Sequence, residues 1–304
     1  MDSIPTPTQV AQRRTVGIGP VSEGHADSLR SFAFFPYRGP AQIDRSELGP
    51  RAWADVLTSL AELAETENWT GAANAARSLP ILDSFLRYTH KRLVMEDKIV
   101  VTPDGEFAAT NTGLLTPHAE EIFGLFQRNR HDGAQGWYFL RWVSESDRDL
   151  LKNFPEPPQM AEYVTSASEL VYDWRRELKL AYDHIIGDNI ERFPAEMATQ
   201  TLRARQALDA AVNLTLRRVR RNHKLVIPQW YPKLGDSGAQ FLMPLDLTGD
   251  GAADLALVVS AVGDRAYRGH TVLTLDMAYT NARLVARPDS EWLKPEAAPQ
   301  PAAI

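Results

Sequence analysis

The sequence of 304 residues contains no cysteine. Disulfide bonds, Cys-ligated zinc or iron–sulfur clusters and thiol catalysis are therefore excluded. It also lacks any run of about 18 consecutive apolar residues, so neither a transmembrane helix nor a membrane partner is expected. Its histidines have no partner at the spacing of metal motifs such as HExxH, and the phosphate-loop, dinucleotide and GxSxG motifs are missing. We therefore expect neither a metal nor a cofactor.

Negatively charged residues are in modest excess over positively charged ones. The formal net charge is −6 at pH 7 and 44% of the residues are hydrophobic, which is typical of a globular protein with a large core. Since acidic residues outnumber basic ones, contact with a nucleic acid requires a local basic patch. The expected location is the cytoplasm.

The two ends differ in composition from the rest of the chain. Residues 1–28 are rich in Pro, Thr, Ser, Gly and Gln, and are predicted to be a disordered lead, not a signal peptide. Residues 295–304 are rich in Ala and Pro and are predicted to be a disordered tail. Residues 29–294 are expected to form a single domain, with a linker at Pro155–Pro158 as the alternative.

Hydrophobic periodicity within this domain predicts an α+β fold. Apolar residues at helical spacing predict helices over 50–65 and 80–95, and a long amphipathic helix over about 196–222. Four apolar runs near the C-terminus have connections too short for helical crossovers, which favours antiparallel pairing. We therefore expect a mixed, largely antiparallel sheet with the long helix packed on it. The four strands are predicted at 225–230, 240–245, 255–259 and 271–275.

Shorter segments complete the predicted order of elements. Pro50 is expected to open the helix that contains it, because proline fits the first helical position. The remaining patterns favour a strand or aromatic anchor at 29–36, a β-hairpin over 98–109, a loop at 111–115, strands at 122–126 and 137–143, and helices at 167–172 and 175–182.

The densest group of polar residues lies between residues 182 and 194. Polar side chains in such number are costly to bury without partners, which favours a binding or catalytic site. In a helix, His184 and Asp188 would share one face and Arg192 would follow one turn later. We predict that His184 is a general acid/base and Asp188 its orienting group, while Asn189 polarises the substrate and Arg192 binds an anion. The alternative is a buried polar knot that fixes a loop.

A second polar group follows the last predicted strand. Asp276, Tyr279, Asn281 and Arg283 lie just beyond it, where side chains often reach the mouth of a site. Asn281 and Arg283 have the chemistry to bind a carbonyl or a phosphate, and Tyr279 to stack or donate its hydroxyl. The alternative is a helix cap at Asp276 together with a surface salt bridge.

Basic residues at the end of the predicted long helix form a third candidate. Arg217, Arg221 and Lys224 would lie on one stripe, which is able to neutralise several phosphates. In the alternative, these cations stabilise the C-terminal end of the helix through its macrodipole.

The segment 246–254 is similar to a calcium-binding loop, with oxygen ligands at alternating positions. An EF-hand would need Glu at the twelfth position, where this chain has Leu257. We therefore expect a turn stabilised by Asx hydrogen bonds in preference to a calcium site.

Several longer motifs carry a resemblance to a known family. They are FAFFP at 32–36, NTGL at 111–114, HIIGDN at 184–189, RFP at 192–194, VIPQWY at 226–231, LTLDMAYTNARL at 273–284 and PDSEWL at 288–293. Together they resemble a bacterial family catalogued only as a domain of unknown function (number 3825 in its series), whose members occur alone or beside OST-HTH (LOTUS) and cold-shock RNA-binding modules. The resemblance implies an association with RNA biology, but no reaction. Asn111 and Gln229, which lie in two of these motifs, are included among the expected substrate-binding residues.

These features predict a metal-independent enzyme that acts on a phosphate-bearing substrate, either RNA or a nucleotide. It would be of the hydrolase or lyase type, with His184 in acid/base catalysis and Arg192 and Arg283 as an anion clamp. Two alternatives stay open, namely a non-catalytic RNA-binding protein and a cofactor-free enzyme that tailors a small organic metabolite. For an enzyme, we expect the segments around 184–192 and 276–283 to converge on one pocket.

Overall fold

The structure is a computed structural model that describes residues 28–39, 44–71, 79–131, 133, 135–231, 240–288 and 292–293. The predicted disordered tail, and all of the predicted lead except Ser28, lie outside these described residues. Among the described residues, no helix combines the length and the apolar character needed to cross a membrane.

In the part of the chain that the structure describes, two five-stranded sheets form the framework. In chain order the strands are β1 (Ala33–Phe34), β2 (Val100–Val101), β3 (Phe107–Leu115), β4 (Glu121–Arg128), β5 (Trp137–Ser144), β6 (Glu177–Leu180), β7 (Ile227–Gln229), β8 (Gln240–Leu245), β9 (Leu255–Val262) and β10 (Ala266–Leu273). The first sheet has the order β1-β5-β4-β3-β2 and the second has the order β6-β10-β9-β8-β7. Among the strands of the described residues, only β1–β5 and β6–β10 pair in parallel. The predicted α+β fold with a largely antiparallel sheet is confirmed.

Helices cover the faces of both sheets. They are α1 (Leu29–Phe32), α2 (Arg45–Leu63), α3 (Pro80–Met95), α4 (Arg148–Asn153), α5 (Thr201–Val219) and α6 (Leu275–Val285). Single turns of 3₁₀-helix occur at Ala167–Leu170, Ile190–Arg192 and His223–Leu225, and one turn of π-helix occurs at Asp183–Gly187.

The alternation of side chains along β8 and β9 gives the second sheet two different faces. Phe241 and Leu257 belong to a core cluster beneath α5, which also touches the sheet where Thr215 Oγ1 donates to Pro244 O over 2.8 Å. Leu242 and Val258 point the other way, into a larger cluster that includes residues of α3, α6 and the first sheet. The second sheet therefore separates α5 from α3 and α6.

Two predictions of element type are wrong. The segment 175–182, predicted to be a helix, contains β6, which pairs with β10; tertiary strand pairing here overrides local helical spacing. The predicted loop 111–115 continues β3, because Asn111 Oδ1 accepts the Gly113 N–H over 2.9 Å and so supports the irregular part of the strand. Gly113 itself adopts a φ of +72° there, a conformation that glycine tolerates.

Several boundaries also differ from the predicted ones. Helix α2 begins at Arg45, before Pro50, because Asp44 caps it by accepting the Ser46 N–H over 2.8 Å. Helix α5 is shorter than predicted at both ends, and the last strand begins at Ala266 and not at residue 271. The segment 29–36, predicted to be a strand or aromatic anchor, begins as the helix α1 and contains a strand only at β1.

Candidate active site

A cavity of about 970 Å³ lies between the second sheet and helices α3 and α6. Its floor is the face of the second sheet that lies opposite α5, because Gln229 of β7, Gln240 of β8, and Val258 and Ser260 of β9 line it. Helix α3 contributes Ser84 and Tyr88 to the walls, and α6 contributes Asp276, Thr280 and Asn281. The volume is at the upper end of the range for sites that bind small molecules, about 300–1,000 Å³.

A row of hydrogen-bonded side chains crosses the floor of this cavity. Gln229 and Gln240 are paired neighbours on β7 and β8, and Gln229 Nε2 donates to Gln240 Oε1 over 3.0 Å. Gln240 Nε2 in turn donates to Ser260 Oγ on β9 over 2.6 Å. Gln229 is only 1% exposed, and its Oε1 has no hydrogen-bond partner among the described residues. We call Gln229, Gln240 and Ser260 the amide row.

His270 reaches the cavity from an irregular position in β10. Gly269 pairs with Val259 and Thr271 pairs with Val258, so His270 is an extra residue that forms a β-bulge. Bulges re-aim side chains and are frequent next to active sites. Burial lowers the pKa of His270, and the positive charges of Arg268 and His184 lower it further. The lowered pKa favours the neutral imidazole at pH 7.

Arg192 lies at the same end of the cavity as His270. The 3₁₀ turn at Ile190–Arg192 directs its side chain to β10, where Arg192 Nη1 donates to Val272 O over 2.5 Å. Glu191 Oε1 lies 3.6 Å from Arg192 Nε. A guanidinium carries five N–H donors, so donors remain for an anionic ligand.

The predicted His184–Asp188 pair forms outside the cavity. The π-helical turn brings His184 Nδ1 to 2.9 Å from Asp188 Oδ2, with side chains that are 67% and 68% exposed. Neither residue lines the cavity. Asn189 is buried and donates from Nδ2 to His184 O over 2.6 Å. Of the predicted catalytic residues, only Arg192 thus lines the cavity.

Helix α6 divides the second predicted group between two faces. Asp276 and Asn281 line the cavity. Tyr279 and Arg283, which are one turn apart on another face, both bind Glu67: Tyr279 Oη donates over 2.8 Å and Arg283 Nε lies 2.8 Å from the carboxylate. Burial, with the negative charge of Glu67, raises the pKa of Tyr279. The predicted clamp of Arg192 with Arg283 is therefore not assembled, and Thr274, not Asp276, caps the helix.

The other predicted substrate-binding residues are dispersed. Gln229 is part of the amide row. Asn111 is buried in the first sheet, where its Nδ2 donates to Glu121 and to Pro158 O, each over 3.1 Å. Arg217 and Arg221 are exposed at the end of α5, on the opposite side of the second sheet, and Arg221 Nη1 donates to Arg217 O over 3.0 Å.

Gln240, Ser260 and His270 are among the site residues that were missed in the sequence, although signals for these three exist. Gln240 and Ser260 are polar residues at the ends of apolar runs. They alternate with the residues that face α5, so they lie on the side of the sheet that faces the cavity. His270 follows Gly269, and an isolated glycine in a strand is a sign of a bulge. A Cβ at Gly269 would lie 2.9 Å from Leu180 Cδ2, so glycine allows β6 to approach β10.

The segment 246–254 forms the turn expected from its sequence. Asp246 accepts the N–H groups of Gly249 and Gly251 over 2.7 and 3.1 Å. Asp254 accepts those of Leu247 and Thr248 over 2.7 and 3.0 Å. Across the described ranges, no group of three or more His, Asp or Glu side chains is arranged to hold a metal ion.

Comparison with known proteins places the chain in a family. The family model described as "Domain of unknown function (DUF3825)" matches residues 60–292, which include the floor and both helical walls of the cavity. No curated protein and no solved structure matches the chain.

Proposed function

We propose that this chain, which belongs to the family described as a domain of unknown function (DUF3825), is an enzyme for a phosphate-bearing substrate, either a nucleotide or an RNA end. The observation that carries the proposal is the presence of His270 and Arg192 together in one cavity beside β10. A neutral imidazole accepts a proton from a reacting group, and a guanidinium holds the oxygens of a phosphate. The expected cytoplasmic location agrees with such substrates.

His270 takes the acid/base role in this proposal for a geometric reason. A general base must lie within hydrogen-bond reach of the substrate proton, or one water away from it. His270 lines the cavity, whereas His184 points into solvent beside it and acts on His270 through its charge. Asp276 and Asn281 on the facing wall supply a carboxylate and an amide to orient the reacting group.

The test begins with a panel of phosphate-bearing compounds: nucleoside mono-, di- and triphosphates, cyclic nucleotides and short RNA oligonucleotides. Products are identified by mass spectrometry. For a compound that is turned over, His270→Asn should lower kcat about 100-fold or more, while the melting temperature stays within a few degrees. His184→Asn, the matched substitution at the exposed histidine, should have a much smaller effect. A large loss for His184→Asn alone would return the catalytic role to the His184–Asp188 pair. No turnover of any compound would contradict the proposal.

A second candidate function is favoured by the opposite side of the second sheet. Arg217, Arg220 and Arg221 are exposed at the end of α5, and the guanidinium of Arg220 lies 4.9 Å from the ring centre of Trp174. Such a surface suits a non-catalytic RNA-binding protein, and the resemblance to a family with members beside RNA-binding modules adds to this alternative. Counterion release would then make affinity for a single-stranded RNA fall steeply with salt. The double substitution Arg217→Ala and Arg221→Ala should flatten that dependence, and unchanged binding would contradict this function.

The third hypothesis, a cofactor-free enzyme for a small organic metabolite, is supported by the apolar part of the cavity. Ile81, Val258, Leu273 and Met277 line it beside the polar groups. Turnover of a compound without phosphate, unaffected by Arg192→Met, would favour this hypothesis.

A further inference from the structure

We infer that the amide row is the recognition element for a nucleobase, and that the substrate is a free nucleotide whose base presents an N–H donor to Gln229 Oε1. This inference rests on the proposed function, which supplies the phosphate at Arg192. It adds that the protein selects its substrate by the base, and that Gln229 Oε1 is the selecting atom.

The unpartnered oxygen of Gln229 is the first observation. A buried carboxamide oxygen without a hydrogen bond destabilises a folded protein, and few such groups persist without a reason. Gln229 Nε2 is already engaged by Gln240, whose own Nε2 is engaged by Ser260. In this arrangement Gln229 Oε1 is the atom of its carboxamide that is left without a partner. A ligand that completes it must supply a donor.

The sheet order provides the second observation. Gln229 is on β7, and Arg192 is attached to β10 through Val272 O. Because β7 and β10 are three strand spacings apart in the order β10-β9-β8-β7, and Gln229 lies three residues along the strands from the position in register with Val272, these two groups lie roughly 17 Å apart across the floor. An extended nucleotide, with its phosphate at one end and the outer edge of its base at the other, suits this span.

The rest of the lining has the chemistry that a base and a sugar require. Tyr88 and Tyr231 contribute aromatic rings, and Val258 an apolar surface, against which a planar base can lie. Ser260 and Thr271 contribute hydroxyls closer to β10. His270 and Arg192 are then left at the phosphate end, where the proposed chemistry occurs.

The full-length protein tests this inference with a matched set of probes. Binding of the four nucleoside 5′-monophosphates, the four nucleosides, ribose 5-phosphate and orthophosphate is measured by calorimetry. We expect at least one nucleotide to bind about tenfold more tightly than ribose 5-phosphate, because only the nucleotide has a base that can donate a hydrogen bond to Gln229 Oε1. Gln229→Met should remove this tenfold preference and leave the affinity for ribose 5-phosphate unchanged. Gln127→Met, a glutamine on β4 of the first sheet, is the matched control and should change neither value.

The outcomes separate the inference from the function on which it rests. If nucleotides bind no better than ribose 5-phosphate, or if Gln229→Met keeps the preference, the inference is overturned and the phosphate-based function stands. If nucleosides bind as tightly as nucleotides and Gln229→Met weakens both, base recognition by Gln229 stands, while the phosphate-based function and the assignment of a nucleotide as the substrate fail. If no probe binds, both are overturned.

The melting temperature of the ligand-free protein tests the inference even if the Gln229→Met variant binds none of the probes. Replacing Gln229 and Gln240 together with Met removes the unpartnered oxygen and its neighbour. Since a site kept for binding is not optimised for stability, the melting temperature of the ligand-free double variant should equal or exceed that of the parent. A fall of more than a few degrees would show that the row supports the fold, and would overturn the inference.

Discussion

Arg283 binds both carboxylate oxygens of Glu67, at 2.8 and 2.9 Å from its Nε, although 216 residues separate the two in the chain. Both side chains are largely buried, at 12% and 4% exposure. The Arg283 guanidinium also lies 5.3 Å from the ring centre of Trp69 and 4.9 Å from that of Phe85. This ion pair ties α6, which forms a wall of the cavity, to the segment between α2 and α3.

The first prediction concerns this ion pair. Arg283→Met should lower the free energy of unfolding by about 3–5 kcal/mol, because it leaves Glu67 buried without its cation. Denaturant unfolding measures the change. Adding Glu67→Gln to this variant should recover part of the loss, since no unpaired charge then remains. Arg221→Met, at an exposed arginine, serves as the control and should stay within about 0.5 kcal/mol; an equally small loss for Arg283→Met would contradict the assignment.

The second prediction concerns the pH dependence of the proposed activity. Burial, Arg268 and His184 lower the pKa of His270 from its ordinary value of 6.5. Since the neutral imidazole is the active form of a general base, the acid limb of the kcat/KM profile should lie below pH 6.5. Removing either positive neighbour should raise the pKa of His270 and so move the acid limb to higher pH. The shift should be larger for Arg268→Met than for His184→Asn.

The control for this prediction is Arg265→Met, at the turn between β9 and β10. Arg265 is not among the charges that lower the pKa of His270, so the limb should stay in place. An acid limb above pH 6.5 in the parent protein would show that His270 is not the titrating base.

The third prediction concerns Gly71, which adopts a φ of +63° beside the cavity. A Cβ there would lie 3.1 Å from Asp276 Oδ1. Gly71→Ala should therefore destabilise the protein by about 1–3 kcal/mol through backbone strain and should also disturb ligand binding at Asp276. Gly105 has a similar φ of +73° with nothing near its Cβ position. Gly105→Ala should show the strain alone, so equal binding by the two variants would contradict the role of Asp276.

The fourth prediction concerns the turn at 246–254. Asp246→Ala should lower stability by about 1 kcal/mol, because two backbone N–H groups lose their acceptor. Calcium at millimolar concentration should leave the melting temperature of the parent unchanged, since its carboxylates are engaged in the turn. A clear rise with calcium that is absent in Asp250→Ala would instead reveal a bound ion, which stabilises the folded state by mass action.

Part of the fold follows from local patterns. The helix at 80–95 and the strands β8 and β9 were predicted because their apolar residues recur at the period of one element. The prediction of a helix at 175–182 is wrong because the spacing of its apolar residues fits a helix as well as a strand. Only pairing with β10 makes this segment a strand. The single-domain organisation stays a prediction, as do the roles of all the site residues.

For the candidate site, the sequence directed attention to the correct segments but not to all the correct side chains. Arg192, Asp276, Asn281 and Gln229 line the cavity as substrate-binding or catalytic candidates, whereas Tyr279 and Arg283 turn to Glu67. Helix α6 carries Asp276 and Asn281 as well as Tyr279 and Arg283, and its rotation about its own axis decides which pair faces the cavity. That rotation depends on packing against α3 and β7, which no local spacing contains.

By itself, the sequence determined the absence of thiol chemistry, the α+β class and the turn at 246–254. Each of these depends on composition or on neighbours a few residues apart. The tertiary structure alone decided that Gln229, Gln240 and Ser260 form one row and that the bulge turns His270 into the same cavity. Strand register and bulge position set these contacts, and both arise from pairing between segments that are distant in the chain.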